Sequence, residues 1–314
     1  MNLEKNLENI YKKCKKIKGG KNASYIPALT KVNPSLYAIS ICTVEGEQYD
    51  IGDYSTFFSI QSISKVFSLA LALDKYGTDY LKKKIGNKAS KLPFNSINAI
   101  ENLPTHASNS FSNAGAIATT CLSFEKSYEK DRNKFEKKIL DNMNKFAGKK
   151  LHISKGIYNS EFSLAYHNFA LAYLLKSYGR FDGDVPTCID VYTRQCSVMV
   201  TSQDISVMAA TIANGGINPI TNDVVMDKKN IPYIIDQMYK NGLYDQSEEF
   251  NNLAGIPCKS GVGGCLLIVI PGVMGISIFS PPLNKYGNSY KGIKTAIMLA
   301  NELDLEKKII TFNY

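Results

Sequence analysis

One short cluster in the sequence has residue types and spacing suited to covalent chemistry: Ser62-Ile63-Ser64-Lys65, an S-x-x-K at the head of an apolar, helix-patterned run. Residues i and i+3 share a helix face, which brings the lysine amine within reach of the serine hydroxyl. Apolar neighbours such as Val66 and Leu69 deprive the ammonium of solvation, lower its pKa and leave a neutral amine able to act as general base. A serine in a first helical turn also offers its backbone N–H to a developing oxyanion. The tetrapeptide alone is a weak signal, arising by chance roughly once in a few hundred residues. Its competing reading is a serine near a helix N-cap with a surface lysine one turn later.

Lys259-Ser260-Gly261 supplies a second element, directly before the longest apolar run of the chain. In β-lactamase-type serine hydrolases a K-[ST]-G lies on the strand beside the nucleophile helix. The residue after that glycine, here Val262, contributes the second oxyanion N–H. A glycine-rich turn is the bland alternative for KSGVGG. The S-D-N of that class is absent; Tyr166-His167-Asn168 fits Y-x-N but falls inside an expected helix. No GxSxG elbow, GxGxxG loop or Walker A sequence occurs. With only His106, His152 and His167, and no HExxH or paired Cys/His spacing, neither a metal nor an organic cofactor is expected.

The elements that must position these groups follow from periodicity. Residues 3–18 read as an amphipathic helix with lysines on its outer face. Residues 36–44 (LYAISICTV) read as a strand, with a hairpin returning through FFSI, and residues 62–76 as a helix stopping at Gly77. From 78 to 225 the pattern is mostly helical, including 164–179 and 202–216, both ending in glycine. Residues 123–146 predict a polar helix with Lys126, Lys130, Lys134 and Lys138 in one solvated stripe. CLLIVIPGVMGISIFS predicts two strands about a Pro-Gly turn, and 289–303 a closing helix. Strands at both ends with helices between imply a discontinuous α/β domain, 1–75 with 226–314, carrying a helical insertion over 76–225, the active site between them.

Composition narrows the partners. The net charge is +9, and it resides in residues 1–22 (+5) and 125–150 (+4), leaving the rest neutral. Only Arg132, Arg180 and Arg194 are arginines, and nucleic-acid recognition leans on arginine's planar fork, so no nucleic-acid partner is expected. The longest apolar stretch, 265–280, is too short and too broken to span a bilayer, so no membrane partner is expected. Seven cysteines without a CxxC pair, several in apolar runs, read as free buried thiols of a cytoplasmic protein.

Several long stretches, in order, resemble the serine-dependent glutaminase family, which is β-lactamase-like (DD-peptidase-like): an α/β (α+β) fold with an antiparallel sheet flanked by helices. They are ASYIPALTKVNPSLYAISI, FSIQSISKVFSLALAL, PFNSINAIE, NAGAIATT, YTRQCSVMVTSQDISVMAATIANGGINP, GIPCKSGVGG and SPPLNKYGNSYKG. The resemblance covers about residues 19–303 and implies hydrolysis of L-glutamine to L-glutamate and ammonia, with Ser62 as nucleophile and Lys65 as its base. It further implies that Asn113, Glu161, Asn168, Tyr192, Tyr244, Val262 and Tyr25 contact substrate. The proton to the leaving ammonia is relayed by Tyr244 or Tyr25. A homo-oligomer, dimer or tetramer, is also implied. Glu161 suits the substrate's ammonium, and amide and phenol donors suit its carboxylate.

The sequence departs from the family at His167 (usually arginine), in HASNSFS before Asn113, at Cys258 and Cys265 (usually small residues) and at Glu248 (commonly glycine). Two rivals follow: a penicillin-recognising hydrolase or acyltransferase on the same scaffold, and a non-catalytic glutamine-binding or filament-forming protein.

Overall fold

The structure is a computed structural model that describes residues 3–89, 92–129 and 131–310. Among the described residues, eight strands form two antiparallel sheets: β1 Ala38–Thr43, β2 Gln48–Gly52, β3 Phe58–Ser59, β4 His152–Ile153, β5 Val198–Val200, β6 Cys258–Gly261, β7 Cys265–Ile270 and β8 Met274–Phe279. The larger sheet has the order β2-β1-β8-β7-β6, so strands from both ends of the chain meet where β1 pairs with β8. The hairpin return expected through FFSI is made by QYDIG instead, with Ile39 opposite Ile51. Phe58–Ser59 pairs with β5 in the smaller sheet, β3-β5-β4.

Both faces of the larger sheet are covered, which explains why β7 is apolar at every position rather than alternating. Leu266, Ile268 and Ile270 pack with Leu7, Ile10, Ile293 and Leu299 from helices Leu3–Lys15 and Tyr290–Glu302. Cys265, Leu267 and Val269 face the opposite core, which continues into the helices of the middle of the chain. Helix Ser202–Ala213 lies directly on β1, β7 and β8. It approaches so closely that a Cβ at Gly275 would stand 2.2 Å from Ala210 N and 2.4 Å from Ser206 O. Backbone on both sides leaves no side chain to yield. Gly275→Ala is therefore expected to lower stability by about 1–3 kcal/mol or more, read as a reduced denaturation midpoint; an unchanged midpoint would contradict this packing.

Helix Ser64–Tyr76 runs through the second core with Val66, Phe67, Leu69, Ala72 and Leu73 buried, and Gly77 (φ 75°) ends it. Helices Tyr166–Ser177 and Ser202–Ala213 are likewise followed by left-handed Gly179 and Gly215. The expected lysine helix is broken. A 3₁₀ turn, Lys126–Glu129, precedes helix Arg132–Ala147, for which Asp131 is the N-cap. Lys138 pairs with Glu125 and Lys137 with Asp141, so the cluster is partly neutralised rather than a bare stripe; Lys130 lies outside the described residues. All seven cysteines are free and buried. No helix among the described residues is long and apolar enough to cross a membrane.

Candidate active site

From Phe58 to Ala70 every residue is buried except Ser62, and from Ala107 to Ser123 every residue except Asn113. Both exceptions open into one cavity of about 600 Å³. Tyr25, Glu161, Asn168, Tyr192, Tyr244 and Val262 line it as well, so eight of the nine site residues expected from the sequence share its wall. The ninth, Lys65, lies beneath, fully buried.

Ser62 occupies a 3₁₀ turn, Gln61–Ile63, that leads into the α-helix, one turn earlier than a position inside the helix itself. Gln61 before it has φ 49°, a left-handed conformation that costs energy in a residue with a side chain and turns the serine toward the cavity. Tyr244, at φ 56°, has the same conformation.

No hydrogen bond joins Lys65 directly to Ser62. Lys65 Nζ donates to Phe111 O at 2.9 Å and to Asn113 Oδ1 at 2.8 Å, and stands 3.5 Å from the Tyr244 hydroxyl. Desolvation pushes the Lys65 pKa down to about 7, with Cys196 and Glu161 acting weakly in the other direction. The Tyr244 hydroxyl is held well above its ordinary value by burial, offset in part by hydrogen bonding with Ser62. Tyr244 and Ser62 share the cavity wall, and the Tyr244 hydroxyl lies within reach of the Lys65 amine.

A second lysine, Lys259 of the KSG strand, is also fully buried. Its Nζ donates to Gly242 O and Ser260 O and sits 4.3 Å from the centroid of the Tyr244 ring. Burial, then the like charge of Lys65, hold its pKa well below the ordinary range. The glycines that follow have a steric reason. A Cβ at Gly261 would meet Ile60 O at 2.8 Å, and one at Gly263 would meet Ser59 O at 2.4 Å. Only glycine lets this strand end close against the serine turn, which places Val262 beside Ser62.

At the other end of the cavity, Glu161 accepts a hydrogen bond from Gln61 Nε2, which also donates to Ser59 Oγ. Burial raises the Glu161 pKa to about 7, against the lowering effects of Gln61 and Lys65. Asn168 and Tyr192 stand on neighbouring helices, Tyr166–Ser177 and Val185–Cys196.

The departures from the family pattern are accommodated. His167 Nε2 lies 2.6 Å from Asn95 O, tying its helix to the Phe94–Asn95 segment, which also lines the cavity. Within HASNSFS, Asn109 Oδ1 accepts from Phe111 N and Ser112 N, and Ser112 Oγ caps helix Asn113–Leu122. Asn113 N donates to Phe94 O at 2.7 Å. Cys258 and Cys265 are buried on β6 and β7, and Glu248 lies in the first turn of helix Ser247–Ala254, outside the cavity.

The sequence reading missed Gln61, Phe94, Asn95, Cys196, Tyr286 and Gly287, all of which line the cavity. Gln61 adjoins the S-x-x-K and was legible from that position; the others carry no local chemical pattern.

The glutaminase family model matches residues 20–307. A glutaminase of Colwellia psychrerythraea is 42% identical over 297 residues, 95% of this chain and 94% of that protein. Glutaminase 1 of Escherichia coli K12 is 40% identical over 301 residues, 96% of each. A solved structure described as "Probable glutaminase ybaS" superposes with a TM-score of 0.92 at 40% identity, covering 96% of both chains. Another, of "Mglu in its glutamate form", gives a TM-score of 0.92 at 30% identity over all of this chain and 71% of that one. The architecture is the β-lactamase-like one that the sequence resemblance implied. By sequence and by structure, the chain belongs to the glutaminase family.

Proposed function

We propose that this glutaminase-family chain hydrolyses the side-chain amide of L-glutamine through an acyl-enzyme on Ser62. The observation that carries the reading is a cavity with Ser62, Tyr244 and Glu161 on its wall and a buried, desolvated Lys65 beneath, 3.5 Å from the Tyr244 hydroxyl. A neutral lysine amine has two N–H donors and one lone pair. Phe111 O and Asn113 Oδ1 take the donors, so the lone pair faces the Tyr244 hydroxyl. Tyr244, rather than Tyr25, is then the relay: Ser62 passes its proton to Tyr244 as Tyr244 passes its own to Lys65.

Ser62 Oγ bonds to the amide carbon, and the resulting oxyanion rests on the N–H groups of Ser62 and Val262. The C–N bond breaks, and ammonia leaves with the proton returned through Tyr244. Water then attacks the γ-glutamyl ester, freeing Ser62 and glutamate. Glu161 pairs with the substrate's ammonium, while Asn113, Asn168, Tyr192 and Tyr25 offer donors to its carboxylate. Free, buried thiols fit a cytoplasmic setting, and the family resemblance supports a homo-oligomer.

Against the penicillin-recognising rival stands the carboxylate Glu161 on the cavity wall, which would repel a β-lactam carboxylate. The working forms set the pH dependence. Lys65 must be neutral and Glu161 ionised, and each reaches that form by losing a proton as pH rises through about 7. For glutamine, kcat/KM is expected to fall below pH 7 with a limiting logarithmic slope of about two. Glu161→Gln should reduce that slope to about one. A profile flat from pH 5 to 8 would contradict both assignments.

A further inference from the structure

Helix Lys155–Phe162 carries Glu161, yet none of its own residues is fully buried. Helices in proteins are held mainly by an apolar face, and here that face is reduced to Phe162, partly buried against the core beside Phe169, so hydrogen bonds to other elements must supplement it. Its side chains make three. Glu161 accepts from Gln61, next to Ser62. Ser160 Oγ accepts from Ala28 N at 3.1 Å, in the helical turn that follows Tyr25. Tyr158, one turn before Glu161, donates its hydroxyl to Asp190 Oδ1.

Asp190 is buried on helix Val185–Cys196, two residues before Tyr192, and does not line the cavity. Its other oxygen takes Arg194 Nε at 3.0 Å and Arg132 Nε at 3.3 Å. The Arg194 guanidinium also covers the Tyr158 ring, 4.2 Å from its centroid, and reaches Glu136 at 3.4 Å. Two of the chain's three arginines thus converge on one carboxylate outside the reaction site. A planar guanidinium can stack on a ring and bond a carboxylate at once, which a lysine cannot. The arrangement fixes the tyrosine from its face and from its hydroxyl.

We propose that Tyr158, Asp190 and Arg194 form a positioning unit for Glu161, setting how tightly the substrate's α-ammonium group is recognised. This rests on the glutamine reading above, in which Glu161 meets that ammonium. Tyr158 and Glu161 lie three residues apart on one helix, so a shift of the first displaces the second. The unit joins the helix of Glu161 to the helix of Tyr192, two substrate contacts that no covalent neighbour holds together.

The test is Tyr158→Phe, which removes one oxygen and leaves the ring under Arg194. The expected result is a KM for glutamine raised on the order of tenfold, with kcat within about twofold. In a Glu161→Gln background, the second substitution is expected to change nothing further. Calorimetric binding of L-glutamate provides the same cycle where turnover is too slow to measure. An unchanged KM in Tyr158→Phe, or an equal penalty with and without Glu161, overturns the proposal and leaves a purely structural cluster. If Glu161→Gln alone leaves glutamine KM and glutamate binding intact, the ammonium assignment itself fails, and the positioning role falls with it.

Discussion

Ser62→Ala is expected to abolish glutamine hydrolysis, lowering kcat by about 10⁴-fold or more while leaving glutamate binding and the fold intact. Ser62 is the only serine or threonine among the described residues that lines the cavity. Cys196 also lines the cavity, but burial pushes its thiol pKa far above the usual range, so the nucleophilic thiolate is suppressed. The side chain at position 62 contributes little to packing, since the serine is the one residue from Phe58 to Ala70 that is not buried. Alanine keeps the backbone N–H and therefore half of the oxyanion site. The residual rate reports what that site and substrate orientation achieve alone. Turnover within tenfold of the parent would remove the covalent mechanism.

Lys65→Met is the second large effect, an expected loss of about 10³-fold in kcat with KM little changed. Methionine is close in length and apolar, so the buried volume stays filled, while the lone pair facing Tyr244 disappears. The tyrosine then has no acceptor for its proton and cannot take one from Ser62. Two further readouts separate this from a packing defect. The component of the pH profile assigned to Lys65 should vanish, leaving only the Glu161 limb. Lys65→Arg should be equally inactive, because a guanidinium stays protonated and cannot serve as base. An active Lys65→Arg variant would assign the base elsewhere, with Lys259 the alternative closest to Tyr244.

The parts of this molecule legible in sequence were those governed by short-range rules. The apolar run of β7, the Pro-Gly turn to β8 and the glycine stops after the helices follow from periodicity and backbone sterics, and they appear where expected. The hairpin partner of β1 was not legible, because QYDIG is largely polar and FFSI more strand-like; the choice was made by position at the sheet edge. The lysine helix failed locally. Asp131 offered a cap that restarts the helix, and spacing alone gives no sign of the 3₁₀ turn before it.

The site followed the same division. Ser62 and Lys65 stand out by type and spacing, and the residues matched to the family's motifs share one cavity wall. What spacing could not reveal was that Lys65 makes no direct hydrogen bond to Ser62 and stands instead beside the Tyr244 hydroxyl. That depends on Phe111 O and Asn113 Oδ1 drawing the amine aside, from residues nearly fifty positions away. The Asp190 cluster was equally hidden, since its members lie on three separate helices.

A γ-glutamyl ester on Ser62 is detected by mass spectrometry of the enzyme acid-quenched while turning over saturating glutamine. The predicted result is that the peptide containing Ser62 gains the mass of one glutamyl group, and that the corresponding Ser62→Ala peptide does not. A glutamyl group on any other residue, or an unlabelled Ser62 peptide at times when ammonia release runs ahead of glutamate release by one equivalent, would contradict it.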